Sequence, residues 1–147
     1  MENHEFAGFW IRVAAALVDS IILQVGLALL FIPIILVFGM DYLEKDNLSF
    51  DLFLFFLGIL YYVIPTASKY QATLGKKIVG IYVINNDGTR ISIANSIGRY
   101  FAYILSSITL LIGFMMAGWT KKKRALHDVV AGTYVVYGKP TSAIIKP

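Results

Sequence analysis

The strongest constraint on this chain is an almost wholly apolar stretch from Gly8 to Met40, close to its N-terminus. As an α-helix this stretch would be roughly 50 Å long, at about 1.5 Å per residue, whereas the hydrocarbon core of a bilayer is about 30 Å thick. Phe9 and Trp10 suit the headgroup region, so we place the surplus length at the N-terminal end. The stretch predicts a membrane-spanning helix, helix 1, over residues 8–40.

Two charged residues, Arg12 and Asp19, lie within this apolar stretch. Seven residues make about two helical turns, so both fall on nearly the same face, roughly 10 Å apart along the axis. A carboxylate at that depth costs a few kcal/mol unless it is paired, neutralised or hydrated. Long helical side chains lean toward the N-terminus, so we do not expect Arg12 to close the gap to Asp19. Another part of the chain, or a partner, must compensate Asp19.

Composition places the whole chain in the same class. It has 147 residues, 58% of them hydrophobic, and a mean hydropathy of +0.71. The length indicates one domain, residues 1–147, and the hydropathy exceeds that of globular proteins. There is no cysteine, no cluster with metal-ligand spacing and no nucleophile beside a general base. We therefore expect no enzyme activity, no catalytic residue, no metal site and no cofactor.

The charges are distributed unevenly along the chain. Asp41, Glu44, Asp46 and Asp51 crowd one short loop, in which Lys45 is the only basic residue. The net charge of +4 is better explained as a topology signal than as a nucleic-acid surface, so we expect no nucleic-acid partner. A second span is predicted over residues 49–68. The N-terminus and the basic loop at 69–99 are then cytoplasmic, and the acidic loop faces outside.

A small sheet is predicted within the basic loop. Residues 78–84 and 89–93 are rich in β-branched side chains, and Asp87-Gly88 between them favours a tight turn. These features predict a β-hairpin over 78–93. Near the C-terminus, residues 125–137 predict a short helix and a strand, and this strand can join the hairpin to form a three-stranded sheet.

The third apolar segment, residues 100–119, has two possible arrangements. Four basic residues follow it directly, at positions 121–124, and the positive-inside tendency places them in the cytoplasm with the loop before the segment. A re-entrant helical hairpin, broken around Ser106-Ser107 or Gly113, would return the chain to the cytoplasm. A plain third span would leave the basic cluster outside. Either way we expect a mainly α-helical, polytopic protein of the cell membrane.

Three motifs stand together in this order and resemble the RDD family of integral membrane proteins. They are Arg12 with Asp19, the loop Gln71-x-Thr73-x-Gly75-Lys76-x-x-x-Gly80, and the tail Arg124-Ala-Leu-His127-Asp128-x-x-Ala131-Gly132-Thr133. The resemblance covers nearly the whole chain, from Gly8 to Val136. The family is named for an arginine and two aspartates, which the resemblance assigns to Arg12, Asp19 and Asp128. It implies transport of unidentified ligands, with sodium/proton antiport in some members.

These motifs define the candidate site. Arg12, Asp19 and Asp128 are the candidate ligand- or ion-binding residues. Six further residues are expected to support them: Lys76, Arg99, His127, Gln71, Thr73 and Gly75. One interpretation is a proton- or cation-binding site, because an intramembrane carboxylate can exchange one for the other. The other is a buried ion-pair network that fixes helix 1 against the cytoplasmic sheet.

Two function classes remain open. The first is a transporter of a small ligand, or an exchanger of monovalent cations for protons. Such a protein would be a homo-oligomer, because two or three helices enclose little pathway alone. The second is a membrane adaptor or regulator that binds another membrane protein through the small-residue face of helix 1. In both classes the lipid bilayer is the surrounding partner.

Overall fold

A computed structural model describes residues 5–39, 48–108, 112–138 and 140 of the chain. The described residues form six helices and two strands. The acidic loop expected outside the membrane falls mostly on residues 41–47, which lie outside the described residues. Its last acidic residue, Asp51, lies in the second helix.

Two long apolar helices dominate the fold. Helix α1 covers Phe9–Phe38 and α2 covers Leu48–Ala67, within two residues of the bounds expected from the sequence. In the most apolar part of each helix, only 0% and 6% of the residues are buried inside the protein. Apolar helices that the protein itself does not cover need a lipid environment. The expectation of two membrane-spanning helices is thus confirmed in length and composition.

A two-stranded antiparallel sheet lies at the end of α1 that carries Arg12. Strand β1 covers Ile81–Asn85 and pairs with β2, Thr133–Tyr137, so that Ile81 faces Tyr137 and Asn85 faces Thr133. Phe6 adds a single bridge to Val136. The sheet and the start of α1 share one apolar core, formed by Ala7, Ala15, Ile81, Val83, Ile91 and Val135.

The expected β-hairpin and three-stranded sheet are wrong, although the expected turn is present. The amide of Asn85 donates to the Thr89 carbonyl oxygen at 2.9 Å, and Gly88 has a positive φ of 82°. After the turn, Ile91 enters the core and Ser92 begins the next helix, its hydroxyl accepting from the Asn95 amide at 3.1 Å. No strand forms after the turn, so β1 takes the C-terminal strand as its partner.

The third apolar segment contains two helices. Helix α3, Leu74–Ile78, precedes β1, and the segment itself forms α4, Ile93–Ile108, and α5, Ile112–Trp119. A break was expected around residues 106–107 or 113, and these residues lie near the end of α4 and the start of α5. Residues 109–111 are outside the described part. Helix α6, Leu126–Val130, then leads into β2. Because β2 pairs with β1, the chain between them starts and ends at the same sheet.

Candidate functional site

Asp128 is held by two arginines at the start of α6. Its carboxylate accepts from Arg12 Nη1 at 2.5 Å and from Arg99 Nη1 at 2.6 Å, and all three side chains are buried. The Ala125 amide donates to the same carboxylate at 3.1 Å and so fixes the first turn of α6. Arg99 Nη1 also donates to the Thr133 hydroxyl on β2. This cluster therefore joins α1, α4, α6 and the sheet.

The two arginines keep the Asp128 carboxylate in its charged form. Burial alone would raise the pKa of Asp128, but the positive charges of Arg99 and Arg12 outweigh it and hold that pKa below its ordinary range. The remaining donors of Arg12 also find acceptors. Its Nη2 donates to the Lys123 carbonyl at 2.7 Å and its Nε to the Ala7 carbonyl at 3.1 Å. The Arg12–Asp128 pair thus has the features of a structural ion pair.

Among the described residues no arginine pairs with Asp19, which is held by neutral donors. Thr73 Oγ1 donates to Asp19 Oδ2 at 2.5 Å, while Tyr61 Oη and the Gly75 amide donate to Oδ1 at 2.6 Å and 2.7 Å. The side chain is 1% exposed. Three donors in a buried site stabilise a carboxylate without an opposing charge. Arg12 and Asp19 do not pair, in keeping with their two-turn separation.

Close contact between α3 and α1 requires glycine at position 75. A Cβ built on Gly75 would lie 2.6 Å from Asp19 Cγ and 2.7 Å from the Asp19 amide nitrogen, and it would overlap the Ala15 carbonyl oxygen. Only a residue without a side chain lets the α3 backbone reach the Asp19 carboxylate. Thr73 caps α3 by accepting from the Lys76 amide at 3.5 Å while it donates to Asp19. The face of α1 around Ala15 and Asp19 thus packs against the short helix α3, not against a second long helix.

A cavity of about 60 Å³ lies among the helices at this end of the protein. By the same measure one water molecule needs only about 10–15 Å³, so several waters or a ligand of a few heavy atoms would fit. Its charged lining residues are Arg12, Asp19, Lys76 and Arg99, and His127 also faces it. Asp128 lies behind the two arginines. The two acidic residues thus belong to separate clusters that meet at one cavity.

Lys76 and Lys77 are adjacent in α3 but have different surroundings. The Lys77 ammonium lies over the Tyr70 ring, 4.6 Å from its centre, and the residue is exposed. Lys76 is half-buried and lines the cavity, and within the described residues no acceptor or carboxylate binds its ammonium group. Burial lowers the pKa of Lys76 to about 8, and the charge of Arg99 acts in the same direction, against the attraction of Asp19. Lys76 can therefore exchange a proton near pH 8.

His127 is neutral in this setting. Burial lowers its pKa to about 3, even though the Asp128 carboxylate lies 3.4 Å from its Nε2. Its ring packs against Tyr103, with centres 5.8 Å apart. His127 therefore adds no positive charge to the cavity at neutral pH.

Gln71 takes a different role from Thr73 and Gly75. It is fully buried with a positive φ of 52°, and its carbonyl accepts from the Val83 amide at 2.8 Å. This geometry ties the end of α2 to β1 and directs the chain into α3. Gln71 shapes the turn, whereas Thr73 and Gly75 bind Asp19 directly.

Several aromatic and hydroxyl residues at this end of the protein had no role in the site predicted from the sequence. The Tyr61 hydroxyl binds Asp19 beside the cavity. The residues that line the cavity without a predicted role in the site are Ala16, Tyr62, Thr66, Ser96, Tyr100, Tyr103 and Val135. The available signal was general: a partly buried tyrosine hydroxyl needs a partner. Nothing local links Tyr61 to a residue 42 positions earlier.

With this geometry in place, comparison with known proteins assigns the family. Residues 6–132 match the RDD family. The chain belongs to the RDD family. The match includes Arg12, Asp19 and Asp128, the residues expected from the sequence to be its arginine and two aspartates. No solved structure matches the chain at a significant level.

Three relatives come from Bacillus subtilis (strain 168). The uncharacterized protein YxaI is 42% identical, over 89% of this chain and 97% of its own length. The uncharacterized protein YckC is 33% identical, over 95% of this chain and 90% of its own length. The uncharacterized membrane protein YteJ is 25% identical, over 93% of this chain and 84% of its own length. These relatives agree with an RDD membrane protein and assign it no activity.

Proposed function

We propose that this RDD protein is a carrier that binds a small ligand in the cavity at the Arg12 end of α1 and couples its movement to protons. One observation carries the proposal: a fully buried carboxylate, Asp19, and a lysine able to lose its proton, Lys76, border the same cavity next to two membrane-spanning helices. Ionisable groups at such a depth are costly and commonly mark ion or proton pathways.

The carrier acts with its N-terminus, basic loop and tail on the cytoplasmic side. Two contacts support this orientation: β1 pairs with β2, and Phe6 bridges Val136, so all three segments meet at one sheet. In this arrangement α4 and α5 form a re-entrant hairpin, which leaves the basic cluster at 121–124 in the cytoplasm in agreement with the positive-inside tendency. The cavity then opens toward the inner face of the membrane.

Topology can be tested with single cysteines, because the chain has none. Cysteines at Asp46, Asn86 and Thr141 are exposed to an impermeant thiol reagent in intact cells. Only the cysteine at position 46 should react, and all three should react after the cells are opened. Reaction at position 141 in intact cells would place the tail outside and contradict the re-entrant arrangement.

Exchange of a monovalent cation for protons is the narrower form of this function expected from the sequence. In that form Asp19 holds the cation, and the hydroxyl oxygens of Tyr61 and Thr73 complete the site. Protonation of Lys76 would expel the cation through charge repulsion. Such competition makes cation binding weaker at lower pH.

Transport is tested with purified protein in proteoliposomes that contain a pH-sensitive dye. Gradients of sodium, potassium, lithium and lactate are imposed in turn, with empty liposomes as the control. Proton movement that depends on one of these gradients, and that is lost in Asp19→Asn, supports the carrier. A protein that is folded and reconstituted yet moves no proton or solute contradicts it.

A membrane adaptor is the second candidate, favoured by a groove in the membrane region. Helices α1 and α2 make few contacts with each other, and an apolar groove of about 390 Å³ runs between them past Gly26, Leu30 and Leu57. An apolar helix from a second copy or from another membrane protein would fill such a groove.

The adaptor function is tested by placing a larger side chain in the groove. In Gly26→Leu the new side chain enters open space, because nothing lies within 4 Å of a Cβ at this position. Val25→Leu, on an exposed part of the same helix, is the control. Loss of a stoichiometric co-purifying protein, or of self-association, in Gly26→Leu alone supports the adaptor. An unchanged assembly in both variants argues against it.

A further inference from the structure

We propose that the cavity binds a small monovalent carboxylate, with its anionic group beside Lys76 and Arg99 and its apolar end directed toward α1. This inference names the class of ligand that the carrier proposed above would move. Transport of the ligand rests on that proposed function, whereas binding of the ligand is tested independently of it. Charge, unused hydrogen-bond donors and the shape of the neighbouring space each support it.

The charge balance favours an anion. Three cationic residues, Arg12, Lys76 and Arg99, face two carboxylates, Asp19 and Asp128, while His127 is neutral. One positive charge is left in excess when Lys76 is protonated. An uncompensated charge in a desolvated site is costly, and one bound monovalent anion removes that cost. A monovalent cation would add to it.

The donors beside the cavity are the ones that an anion needs. Arg99 uses Nη1 for Asp128 and Thr133, and its Nε and Nη2 donate to no acceptor in the described part of the chain. The Lys76 ammonium is likewise without an acceptor there. A planar guanidinium edge and an ammonium group together match the two oxygens of a carboxylate. Arg12, in contrast, is already engaged by Asp128 and two carbonyls.

A second cavity indicates the shape of the ligand. This cavity, of about 180 Å³, shares Arg12, Ala16 and Tyr103 with the first and is otherwise lined mainly by apolar residues such as Val13 and Leu17. A simple inorganic anion would leave this space unused. A carboxylate with a short alkyl chain can place its charged end in the polar cavity and its chain in the apolar one.

Binding of the anion is linked to the protonation of Lys76. The titratable and charged groups around Lys76 come from four elements: Arg12 and Asp19 on α1, Tyr62 on α2, Arg99, Tyr100 and Tyr103 on α4, and His127 and Asp128 on α6. Of these, Asp128 is held ionised by its two arginines and His127 is neutral. A bound anion stabilises protonated Lys76, so above about pH 8, where the free lysine is largely unprotonated, the ligand and a proton bind together with no net change in charge.

Isothermal titration of the full chain in a neutral detergent tests the proposal. Butyrate is the probe, and butyramide and butylammonium are its neutral and cationic isosteres. We expect butyrate to bind at pH 6.5 at least about tenfold more tightly than either isostere, and more tightly than acetate or chloride. Raising the pH from 6.5 to 9.5 should weaken butyrate about tenfold or more, with proton uptake on binding visible in buffers of different ionisation enthalpy.

Variants of Lys76 and Lys77 distinguish binding of butyrate at the cavity from a general effect of the protein's positive charge on its affinity for anions. Lys76→Met should weaken butyrate at least about tenfold at pH 6.5, whereas Lys77→Met, the matched control, should change its affinity less than about twofold. Lys76→Arg should retain binding and lose the proton uptake, because arginine stays charged. If Lys76→Met does not fold, the Lys76→Arg result decides: unchanged proton uptake overturns the proposal.

Other outcomes overturn it directly. Butyramide or butylammonium binding as tightly as butyrate would show that charge does not select the ligand. Chloride binding as tightly as butyrate would show that the apolar cavity plays no part. Sodium transport without carboxylate binding would keep the carrier and reject this ligand class. Carboxylate binding without any transport would keep this site and reject the carrier.

Discussion

Asp19 lines the cavity and Asp128 lies behind Arg12 and Arg99. The two buried aspartates are stabilised in different ways. Asp128 is neutralised by two arginines at 2.5 Å and 2.6 Å, while Asp19 is held by two hydroxyls and one backbone amide. Charge–charge pairing fixes Asp128 permanently, because removing either partner leaves a buried charge uncompensated. Neutral donors hold Asp19 in place, and among the described residues no arginine pairs with it.

The sequence left two interpretations open, a structural ion-pair network and a proton- or cation-binding site. Each of them fits a different aspartate. The ion-pair interpretation describes the Asp128 cluster, which joins α1, α4, α6 and β2. The exchange interpretation fits the Asp19 side of the cavity, where Lys76 changes its protonation near pH 8. Four substitutions or conditions test this division, in order of decreasing effect on stability.

Asp128→Asn should cause the largest loss of stability. Arg12 and Arg99 would face each other in a buried cluster without a full negative charge, at a cost of about 3–5 kcal/mol in the free energy of unfolding. Denaturant unfolding in a mild detergent, followed by tryptophan fluorescence, measures the loss. The control is Asp51→Asn, which removes an exposed carboxylate. A loss below about 1 kcal/mol would show that the arginines are compensated in another way.

Gly75→Ala should cause the next largest loss. The new Cβ would lie within 2.7 Å of two Asp19 atoms, so α3 must move away from α1, at a cost of about 1–3 kcal/mol. Gly98→Ala, in α4, is the matched control, because nothing lies within 4 Å of its Cβ and alanine favours the helix. The same unfolding assay is used. Equal effects at the two glycines would mean that α3 does not need its close approach.

Acid should destabilise the protein through His127. Its pKa in the folded protein, about 3, lies below the ordinary value of 6.5, so the unfolded chain takes up a proton as the pH falls between these values. The stability contributed by the neutral ring is complete above pH 6.5 and declines toward pH 3. Between pH 7.5 and pH 5 we expect a loss of about 1–2 kcal/mol.

His127→Gln should flatten this dependence, because glutamine does not titrate. Asp128 acts in the same direction only at lower pH, below its ordinary range, so the window from pH 7.5 to pH 5 isolates the histidine. Parent and variant are compared by unfolding at both pH values. The same slope in the two proteins would locate the acid sensitivity elsewhere.

Asp19→Asn should cost least in stability and most in function. The amide oxygen can still accept from Tyr61 and Gly75, and the Thr73 hydroxyl can turn to accept from the amide nitrogen, so we expect a loss of about 1 kcal/mol. Arg12→Met should be the more destabilising of the two, since it leaves Asp128 with one arginine. Flux through the proposed carrier should be lost in Asp19→Asn. An Asp19→Asn protein that is less stable than Arg12→Met would reverse the roles of the two clusters.

Local patterns in the sequence determined the elements that depend on neighbours along the chain. Hydrophobicity and length defined α1 and α2 to within two residues, because a helix long enough to cross a bilayer needs about 20 apolar residues wherever it packs. The Asp87-Gly88 turn followed from the freedom of glycine at positive φ. The spacing of Arg12 and Asp19 was enough to argue that they do not pair.

Only the tertiary structure decided which distant groups meet. Arg12 lies 116 positions from Asp128, and Tyr61 lies 42 positions from Asp19, and no local rule selects such partners. The same applies to β1: its backbone donors and acceptors would be satisfied by either candidate strand, and the chain resolves the choice by burying Ile91 and starting α4 at once. A sequence specifies the groups that must be compensated. Packing in three dimensions determines what compensates them.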